Sequence, residues 1–328
     1  MRVLVTGAAG FIGSSVSQAL VRRGDHVVGL DNFNDFYDPA IKEANVGEID
    51  EVAAESDGDF RLVRANLVRD QHAMRAIFER DPPDVILHLA AWAGVRPSIE
   101  KPMIYQETNV EGTMRLLELA REFGVKPFVF ASSSSVYGAR RDAPFSEDDR
   151  VDDPISPYAA TKKAGELIGY TYHHLHGLTF HGLRFFTVYG PRQRPEMAIH
   201  LFAQRILDGL SIRMHGDGTS SRDYTYIDDI VQGVVASIDR AAKESEYRIY
   251  NLGCSTTTTL KSLIEQIEAA TKTKAIIEKH PDQPGDVPLT FANIDRAKAE
   301  LAYDPQTPVE EGIPKFVEWL HRRRAAAQ

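Results

Sequence analysis

The sequence has almost no cysteine, no excess of basic residues and no long apolar run. Cys254 is the single cysteine among 328 residues, which excludes an internal disulfide bond and suits a reducing compartment. The formal net charge of −9 argues against nucleic acid or an anionic membrane as a partner. Because no apolar stretch reaches membrane-spanning length and no signal peptide precedes the first strand-like run, we expect a soluble, cytoplasmic protein.

The first half of the chain alternates short apolar runs with segments of helix length. This alternation predicts an α/β protein with a Rossmann-type, doubly wound parallel sheet. One acidic connection, residues 34–59, is longer than usual and breaks the rhythm. Strands are predicted at 2–6, 26–31, 60–65, 85–90, 128–132 and 179–185, and helices at 14–23, 71–79, 109–123 and 157–174.

From about residue 190 the pattern loosens into loops rich in proline, arginine and glycine. We interpret this change as a smaller C-terminal substrate-binding lobe, because loops at a domain junction commonly hold a substrate. The Rossmann domain is predicted at residues 1–189 plus about 218–253, and the lobe at 190–217 plus about 254–328.

A glycine-rich turn with the context of a dinucleotide site follows the first predicted strand. Gly7, Gly10 and Gly13 precede a helix, and Asp31 ends the next strand. Such glycines let the backbone approach a pyrophosphate, whose charge sits at the helix amino end. A carboxylate at Asp31 accepts hydrogen bonds from ribose hydroxyls and repels a 2′-phosphate, which favours NAD over NADP. Glycines at the first, fourth and seventh positions resemble the extended branch of the short-chain dehydrogenase/reductase superfamily.

That resemblance implies a serine or threonine and a Tyr-x-x-x-Lys motif downstream, and both are present. Tyr158 and Lys162 are spaced to share one helix face, and the family pattern places the hydroxyl at Ser133. Lys162, with the positively charged nicotinamide, is expected to lower the pKa of Tyr158 until the phenol serves as a base. The sequence therefore predicts an active oxidoreductase core.

The same resemblance implies further contacts to cofactor and substrate. Arg222 is expected at the diphosphate, Asp286 near the uridine ribose and the stretch from Ile212 through Met214 near the uracil. The implied NAD contacts are Gly7, Gly10, Phe11, Ile12, Gly13, Asp31, Asn32, Asn66, Leu67, Leu89, Ala90, Ala91, Ala93, Asn109, Ser132, Tyr158, Lys162 and Phe185. The implied substrate contacts are Arg96, Ser133, Ser134, Ser135, Tyr158, Thr187, Arg192, Arg194, Met197, Ile212, Met214, Arg222 and Asp286, and no metal is expected.

Two serines decide the expected reaction. Related 4,6-dehydratases and decarboxylases carry acidic residues after the catalytic hydroxyl, where this chain has Ser134 and Ser135. Without a carboxylic acid there, elimination of water lacks its proton donor, whereas 4-epimerisation needs none. Thr187 replaces an asparagine typical of UDP-glucose epimerases, and Arg192 or Arg194 is expected to add positive charge. These features resemble the UDP-glucuronate 4-epimerase subgroup.

Two alternatives stay open at this stage. A UDP-glucose or UDP-N-acetylglucosamine 4-epimerase uses the same core, and a catalytically silent NAD-sensing protein shares the fold. The second is disfavoured because such proteins typically lose the tyrosine or the lysine, and both are intact here. The resemblance also implies a homodimer that pairs through the helices at 109–123 and 157–174.

Overall fold

A computed structural model describes residues 1–140, 142–281 and 287–326, and within these ranges it contains thirteen strands and twelve α-helices. The strands are β1 Arg2–Thr6, β2 His26–Asp31, β3 Asp59–Arg64, β4 Val85–His88, β5 Pro127–Ser133, β6 Thr179–Phe185, β7 Thr187–Tyr189, β8 Ile212–His215, β9 Ser221–Arg222, β10 Tyr224–Tyr226, β11 Tyr247–Leu252, β12 Thr258–Thr259 and β13 Ile277–His280. The helices are α1 Phe11–Arg22, α2 Pro39–Ala54, α3 Gln71–Arg80, α4 Val95–Glu100, α5 Pro102–Tyr105, α6 Gly112–Glu122, α7 Pro157–His176, α8 Ala198–Leu207, α9 Ile227–Ala241, α10 Leu260–Thr271, α11 Asp295–Leu301 and α12 Val309–Ala326.

A seven-stranded parallel sheet in the order β11-β6-β5-β4-β1-β2-β3 organises the chain. The order reverses direction between β1 and β4, which is where a doubly wound sheet opens a crevice at its carboxyl edge. The α/β Rossmann-type prediction is confirmed, and each of the six predicted strands is present. The bounds of β1, β2 and β6 are as predicted, and those of β3, β4 and β5 differ by one or two residues.

Apolar side chains of the sheet alternate between two cores. Val3 and Val5 of β1 face one cluster, which continues into α1 and α9, whereas Leu4 faces the other, which includes α3 and α6. Burial on both faces is why these strands are continuous apolar runs.

The acidic connection at 34–59 is a regular crossover helix and its neighbouring turns. Asp38 caps α2 by accepting the Ala40 N–H at 2.9 Å, and Pro39 occupies the first helical turn, where its missing N–H has no intrahelical partner to lose. Val46 and Ile49 bury one side of α2, which packs against α1. The expectation of a break in the strand–helix rhythm is therefore wrong.

The later part of the chain forms a smaller set of layers beside the carboxyl edge of the sheet. There β8 pairs in parallel with β13, and α10 packs against α8 and α12. The chain returns to the central sheet as β11, which pairs with β6. The residue boundaries between the Rossmann domain and the smaller lobe stay a prediction. No helix of the described ranges is both long enough and apolar enough to cross a membrane.

Candidate active site

Two adjoining cavities open at the carboxyl edge of the sheet. The first, about 380 Å³, follows the ends of β1, β2, β4, β5 and β6, and the second, about 440 Å³, lies toward the smaller lobe. Both are lined by Phe36, Gly94, Val95, Ser134, Ser135, Thr187, Arg194 and Met197. A ligand that extends through this shared wall would contact both parts of the protein.

The glycine turn forms one end of the first cavity. Gly7 has a φ of +71°, and a Cβ there would lie 2.9 Å from the Ala90 amide nitrogen. A Cβ on Gly13 would lie only 2.0 Å from the Gly7 carbonyl oxygen. The turn therefore requires glycine at both positions, and it presents the amino end of α1 to the cavity, where a phosphate group is stabilised.

Asp31 lies at the next strand end with a buried lysine beside it. The Asp31 carboxylate accepts the Phe33 N–H at 2.9 Å and lies 3.3 Å from Lys42 Nζ. Lys42 also donates to Asn34 Oδ1 at 3.3 Å. The carboxylate keeps acceptor capacity for ribose hydroxyls, and Lys42 lowers the charge repulsion that it would exert on a nearby phosphate.

All but one of the predicted cofactor residues line the first cavity. These are Gly7, Gly10, Phe11, Ile12, Gly13, Asp31, Asn32, Asn66, Leu67, Leu89, Ala90, Ala91, Ala93, Ser132, Tyr158, Lys162 and Phe185. Sequence reasoning missed Lys42, Phe36, Tyr37 and Trp92, which also line it. The cap formed by Asp38 and Pro39 was the available signal for α2, the helix that carries Lys42.

Asn109 is the exception: it does not line the cavity, and its contact with the cofactor stays a prediction. Its side chain is buried behind the cavity wall, where Oδ1 accepts the Trp92 N–H at 2.8 Å and Nδ2 donates to the Trp92 carbonyl at 2.9 Å. Nδ2 also donates to Thr161 Oγ1 on α7 at 3.1 Å. Asn109 thus ties the wall after β4 to the helix that carries Tyr158, so it is a positioning residue.

Ser133, Tyr158 and Lys162 meet at the bottom of the first cavity. Ser133 ends β5, and its Oγ lies 2.8 Å from Ser135 Oγ and accepts the Ser135 N–H at 3.2 Å. Tyr158 lies in the first turn of α7, whose start is fixed by Ser156 accepting the Ala159 N–H. Lys162 is one turn further on and donates to the Ala131 carbonyl at 2.6 Å.

Burial governs the protonation of both α7 residues. It raises the pKa of Tyr158, an effect opposed by a hydrogen bond with Ser133 and by the positive charge of Arg194. It lowers the pKa of Lys162 to about 7. The expectation that Lys162 lowers the pKa of Tyr158 is not met by the protein groups alone, because the buried ammonium is itself disfavoured and Arg194 supplies the opposing charge.

The predicted substrate residues separate into those at the cavities and those elsewhere. Ser134, Ser135, Thr187, Arg194 and Met197 lie in the shared wall, and Arg96 and Arg222 line the second cavity. Ser133 and Tyr158 line the first cavity. The remaining predicted residues are Arg192, Ile212, Met214 and Asp286, of which the first three line neither cavity and the last is outside the described residues.

The structure distinguishes the two candidate arginines. Arg192 has a φ of +68° and donates to Glu48 of α2 at 2.7 Å and to Ser15 of α1 at 3.3 Å. Arg194 points into the shared wall, with its guanidinium 5.5 Å from the centre of the Phe36 ring. Of these two arginines, only Arg194 lines a cavity, and a contact between Arg192 and substrate stays a prediction. Ile212 and Met214 pack in the core of the smaller lobe instead of lining a cavity.

A buried ion pair supports the floor of the site. Arg184 of β6 donates twice to Glu166 of α7, each time at 2.9 Å, and Ser132 donates to the same carboxylate at 2.6 Å. Arg184 also donates to the Tyr137 hydroxyl at 3.0 Å. The bidentate pair fixes α7, which carries Tyr158 and Lys162, against β6, and the Ser132 hydrogen bond ties the same carboxylate to β5, which ends at Ser133.

Comparison with known proteins agrees with this geometry. The family described as GDP-mannose 4,6 dehydratase matches residues 4–316. UDP-glucuronate 4-epimerase 4 of Arabidopsis thaliana is 46% identical over 97% of this chain and 74% of its own length. The UDP-glucuronate 4-epimerase of Thermodesulfobacterium geofontis is 44% identical over 96% and 95%. This chain belongs to the UDP-glucuronate 4-epimerase family.

A solved structure of the family supports the same family assignment. The UDP-glucuronic acid 4-epimerase of Bacillus cereus, in complex with UDP-glucuronic acid and NAD, superposes with a TM-score of 0.88 and 34% identity, covering 98% of this chain and all of that one. The family resemblance drawn from the sequence is thus confirmed. Across the described ranges, no group of three or more His, Cys, Asp or Glu is arranged to hold a metal ion.

Proposed function

We propose that this chain is an NAD-dependent 4-epimerase that interconverts UDP-glucuronate and UDP-galacturonate. The observation that carries the proposal is the first cavity, which is lined by Tyr158 and, in the shared wall, by Ser134, Ser135, Thr187 and Arg194. Ser134, Ser135 and Thr187 each carry a neutral hydroxyl, and none carries the acid needed for dehydration. The UDP-glucuronate 4-epimerases at 44 and 46% identity support the same assignment.

The first cavity has the features that NAD binding needs. The glycines at positions 7 and 13 leave room that a Cβ would fill, the amino end of α1 faces the phosphates, and Asp31 presents its carboxylate to a ribose. When bound, NAD takes a hydride from the sugar and returns it, so no net NADH accumulates. Lys42 and Asn34 would stand beside the same ribose.

Tyr158 accepts and returns the proton of the sugar 4-hydroxyl. Ser133, which is hydrogen-bonded to Tyr158, orients that hydroxyl, and the charge of Arg194 favours the tyrosinate. Lys162 Nζ lies beneath the Tyr158 ring, 5.9 Å from the ring centre, where its protonated fraction favours negative charge on the phenol oxygen.

We expect the sugar carboxylate to bind at the shared wall. Thr187, Ser134 and Ser135 supply hydroxyl donors, and Arg194 supplies the charge. A neutral hydroxymethyl group would offer the three hydroxyl donors a weaker acceptor than a carboxylate, and a buried donor that is left unsatisfied costs about 1–3 kcal/mol. We therefore expect UDP-glucuronate to be preferred over UDP-glucose by at least about tenfold in kcat/KM, since about 1.4 kcal/mol is one decade.

The test is to incubate the protein separately with UDP-glucuronate and UDP-glucose and to separate the C4 epimers. Formation of UDP-galacturonate without a proportional rise in NADH absorbance is the expected result. Equal epimerisation of both sugars would assign the chain to the neutral-sugar epimerases and remove the carboxylate site. A rise in NADH that matches product would identify a dehydrogenase instead.

A homodimer through α6 and α7 belongs to the same proposal. Met114, Leu167 and Tyr170 are 44, 57 and 52% exposed on these helices, whereas Leu117 and Leu119 are buried in the chain's own core. Exposed apolar side chains on adjacent helices favour a four-helix contact between two copies. Light scattering at micromolar concentration should give twice the chain mass, and Leu167→Glu should give the monomer mass.

The single cysteine supports a cytoplasmic location.

A further inference from the structure

Glu196 places a negative charge in a cavity that the proposed function fills with anions. Its side chain lines the second cavity together with Arg96, Arg194 and Arg222. Among the described residues that line this cavity, it is the only acid. A carboxylate repels both the diphosphate and the sugar carboxylate of the proposed substrate, so its presence needs a reason.

The geometry supplies a partner for this charge. Glu196 Oε1 lies 3.2 Å from Nε of Arg194, the arginine of the shared wall. The Arg194 side chain is 21% exposed and that of Glu196 is 42% exposed. The Arg194 guanidinium also lies 5.5 Å from the centre of the Phe36 ring, whereas the more exposed Glu196 side chain is open to solvent.

We propose that Glu196 is a specificity-determining residue, the internal counter-ion that the sugar carboxylate replaces on Arg194. This inference rests on the proposed function. With an anionic sugar, one carboxylate is exchanged for another at the guanidinium, and the half-exposed Glu196 is released to water. With a neutral sugar, the Arg194–Glu196 pair stays intact, so Glu196 competes for Arg194 only when the sugar carries a carboxylate. Its effect is to limit the affinity for the sugar carboxylate, which aids release of a product that carries the same group.

The test is Glu196→Gln, with dissociation constants measured by calorimetry for UDP-glucuronate, UDP-glucose and UDP at low ionic strength. UDP-glucuronate should bind about two- to fivefold more tightly, as expected for removal of a competing, partly exposed ion pair. UDP-glucose and UDP should change by less. In an Arg194→Gln background the same substitution should have no selective effect on UDP-glucuronate.

Two results would overturn the inference. Weaker binding of UDP-glucuronate would mean that Glu196 holds Arg194 in position for the substrate. Equal tightening for all three ligands would mean that Glu196 only repels the diphosphate. Glu48→Gln is the matched control, because it removes the acid from the neighbouring Arg192–Glu48 pair at 2.7 Å, outside both cavities.

Failure of the inference and failure of the proposed function are separable. If the wild-type protein does not epimerise UDP-glucuronate, the proposed function fails. If it does, and Glu196→Gln binds UDP-glucuronate no more tightly than the wild type, the inference alone fails. Comparing KM with kcat gives a second readout. Glu196→Gln should change KM for UDP-glucuronate and should leave kcat nearly unchanged, because the residues that contact the 4-hydroxyl stay in place.

Discussion

Replacing Lys162 with methionine should make the folded protein more stable while abolishing turnover. The Lys162 side chain is buried, and burial lowers its pKa from 10.5 to about 7. At about 1.4 kcal/mol per pKa unit, holding this lysine in the interior destabilises the fold by about 4 kcal/mol at neutral pH. Methionine fills a similar volume but leaves the Ala131 carbonyl without its donor, which costs about 1–3 kcal/mol. The net gain at pH 7 is therefore about 1–3 kcal/mol.

The sign of the pH dependence follows from the direction of the shift. The unfolded chain binds a proton at Lys162 up to about pH 10.5, whereas the folded chain releases it above about pH 7. The penalty is thus fully present below pH 7 and fades as the pH rises toward 10.5. The methionine variant should gain most near pH 6, whereas near pH 10 it should be no more stable than the wild type, because the lost hydrogen bond to Ala131 then outweighs the remaining penalty.

Urea unfolding followed by circular dichroism, without added nucleotide, measures the difference. Lys126→Met is the matched control, because Lys126 also donates to a backbone carbonyl, that of His176 at 2.8 Å, but from an exposed position. The control should change the free energy of unfolding by less than about 1 kcal/mol. A Lys162→Met protein less stable than wild type at both pH 6 and pH 7 would refute the argument from burial.

The other predictions concern the floor and the wall of the site. Tyr158→Phe should lower kcat by about 10²–10⁴-fold while UDP-sugar and NAD still bind, and turnover within twofold of wild type would remove Tyr158 as the base. Thr187→Ala combined with Arg194→Gln should reduce the preference for UDP-glucuronate about tenfold with little change in UDP binding, and an unchanged preference in kcat/KM would contradict the carboxylate site. Glu166→Gln leaves the buried Arg184 without its carboxylate partner and should lower the free energy of unfolding, measured in urea, by about 3–5 kcal/mol. Glu122→Gln, in the exposed pair with Arg75, should lower it by less than about 1 kcal/mol. Equal losses for these two variants would contradict the strength assigned to burial.

The central sheet was largely predictable because most of its strands are continuous apolar runs. Burial on both faces makes β1 and β4 recognisable without any knowledge of their neighbours. The edge strand β11 was missed, since Tyr247 and Arg248 at its start are partly exposed and Asn251 interrupts its apolar character. In α2 only a narrow stripe around Val46 and Ile49 is apolar, so periodicity was too weak to reveal the helix.

The parts of the site that lie in one linear motif were also predictable. The glycine turn and the Tyr158–Lys162 spacing carry their own structural context, so the sequence located both. Residues that reach the cavity from elsewhere were not accessible to this reasoning. Lys42 comes from the start of α2, and Phe36 comes from the loop before that helix, and their approach depends on how α2 packs on α1.

The choice between Arg192 and Arg194 shows a limit of a different kind. The two residues are separated by one position, and both follow a glycine–proline turn, so composition and spacing treat them alike. The left-handed backbone of Arg192 turns its guanidinium toward Glu48, and the side chain two residues later enters the cavity. The two arginines therefore differ in local backbone conformation, and only Arg194 lines the cavities.

Arg194 also supplies positive charge that acts on Tyr158. The sequence assigned the charge that favours the tyrosinate to Lys162, which lies one helical turn away, but burial disfavours the lysine's own charge. Arg194 opposes the rise in the Tyr158 pKa from the other side of the cavity. In the proposed function one arginine then acts on both the sugar carboxylate and the base. A substrate anion that pairs with Arg194 takes over the place of Glu196, so the net charge beside Tyr158 changes little when substrate binds. A neutral sugar leaves Glu196 in that place, so Arg194 is paired with a carboxylate in both cases, as it is where it opposes the rise in the Tyr158 pKa. Substitutions at Glu196 should therefore change the affinity for the sugar carboxylate more than they change the protonation of Tyr158.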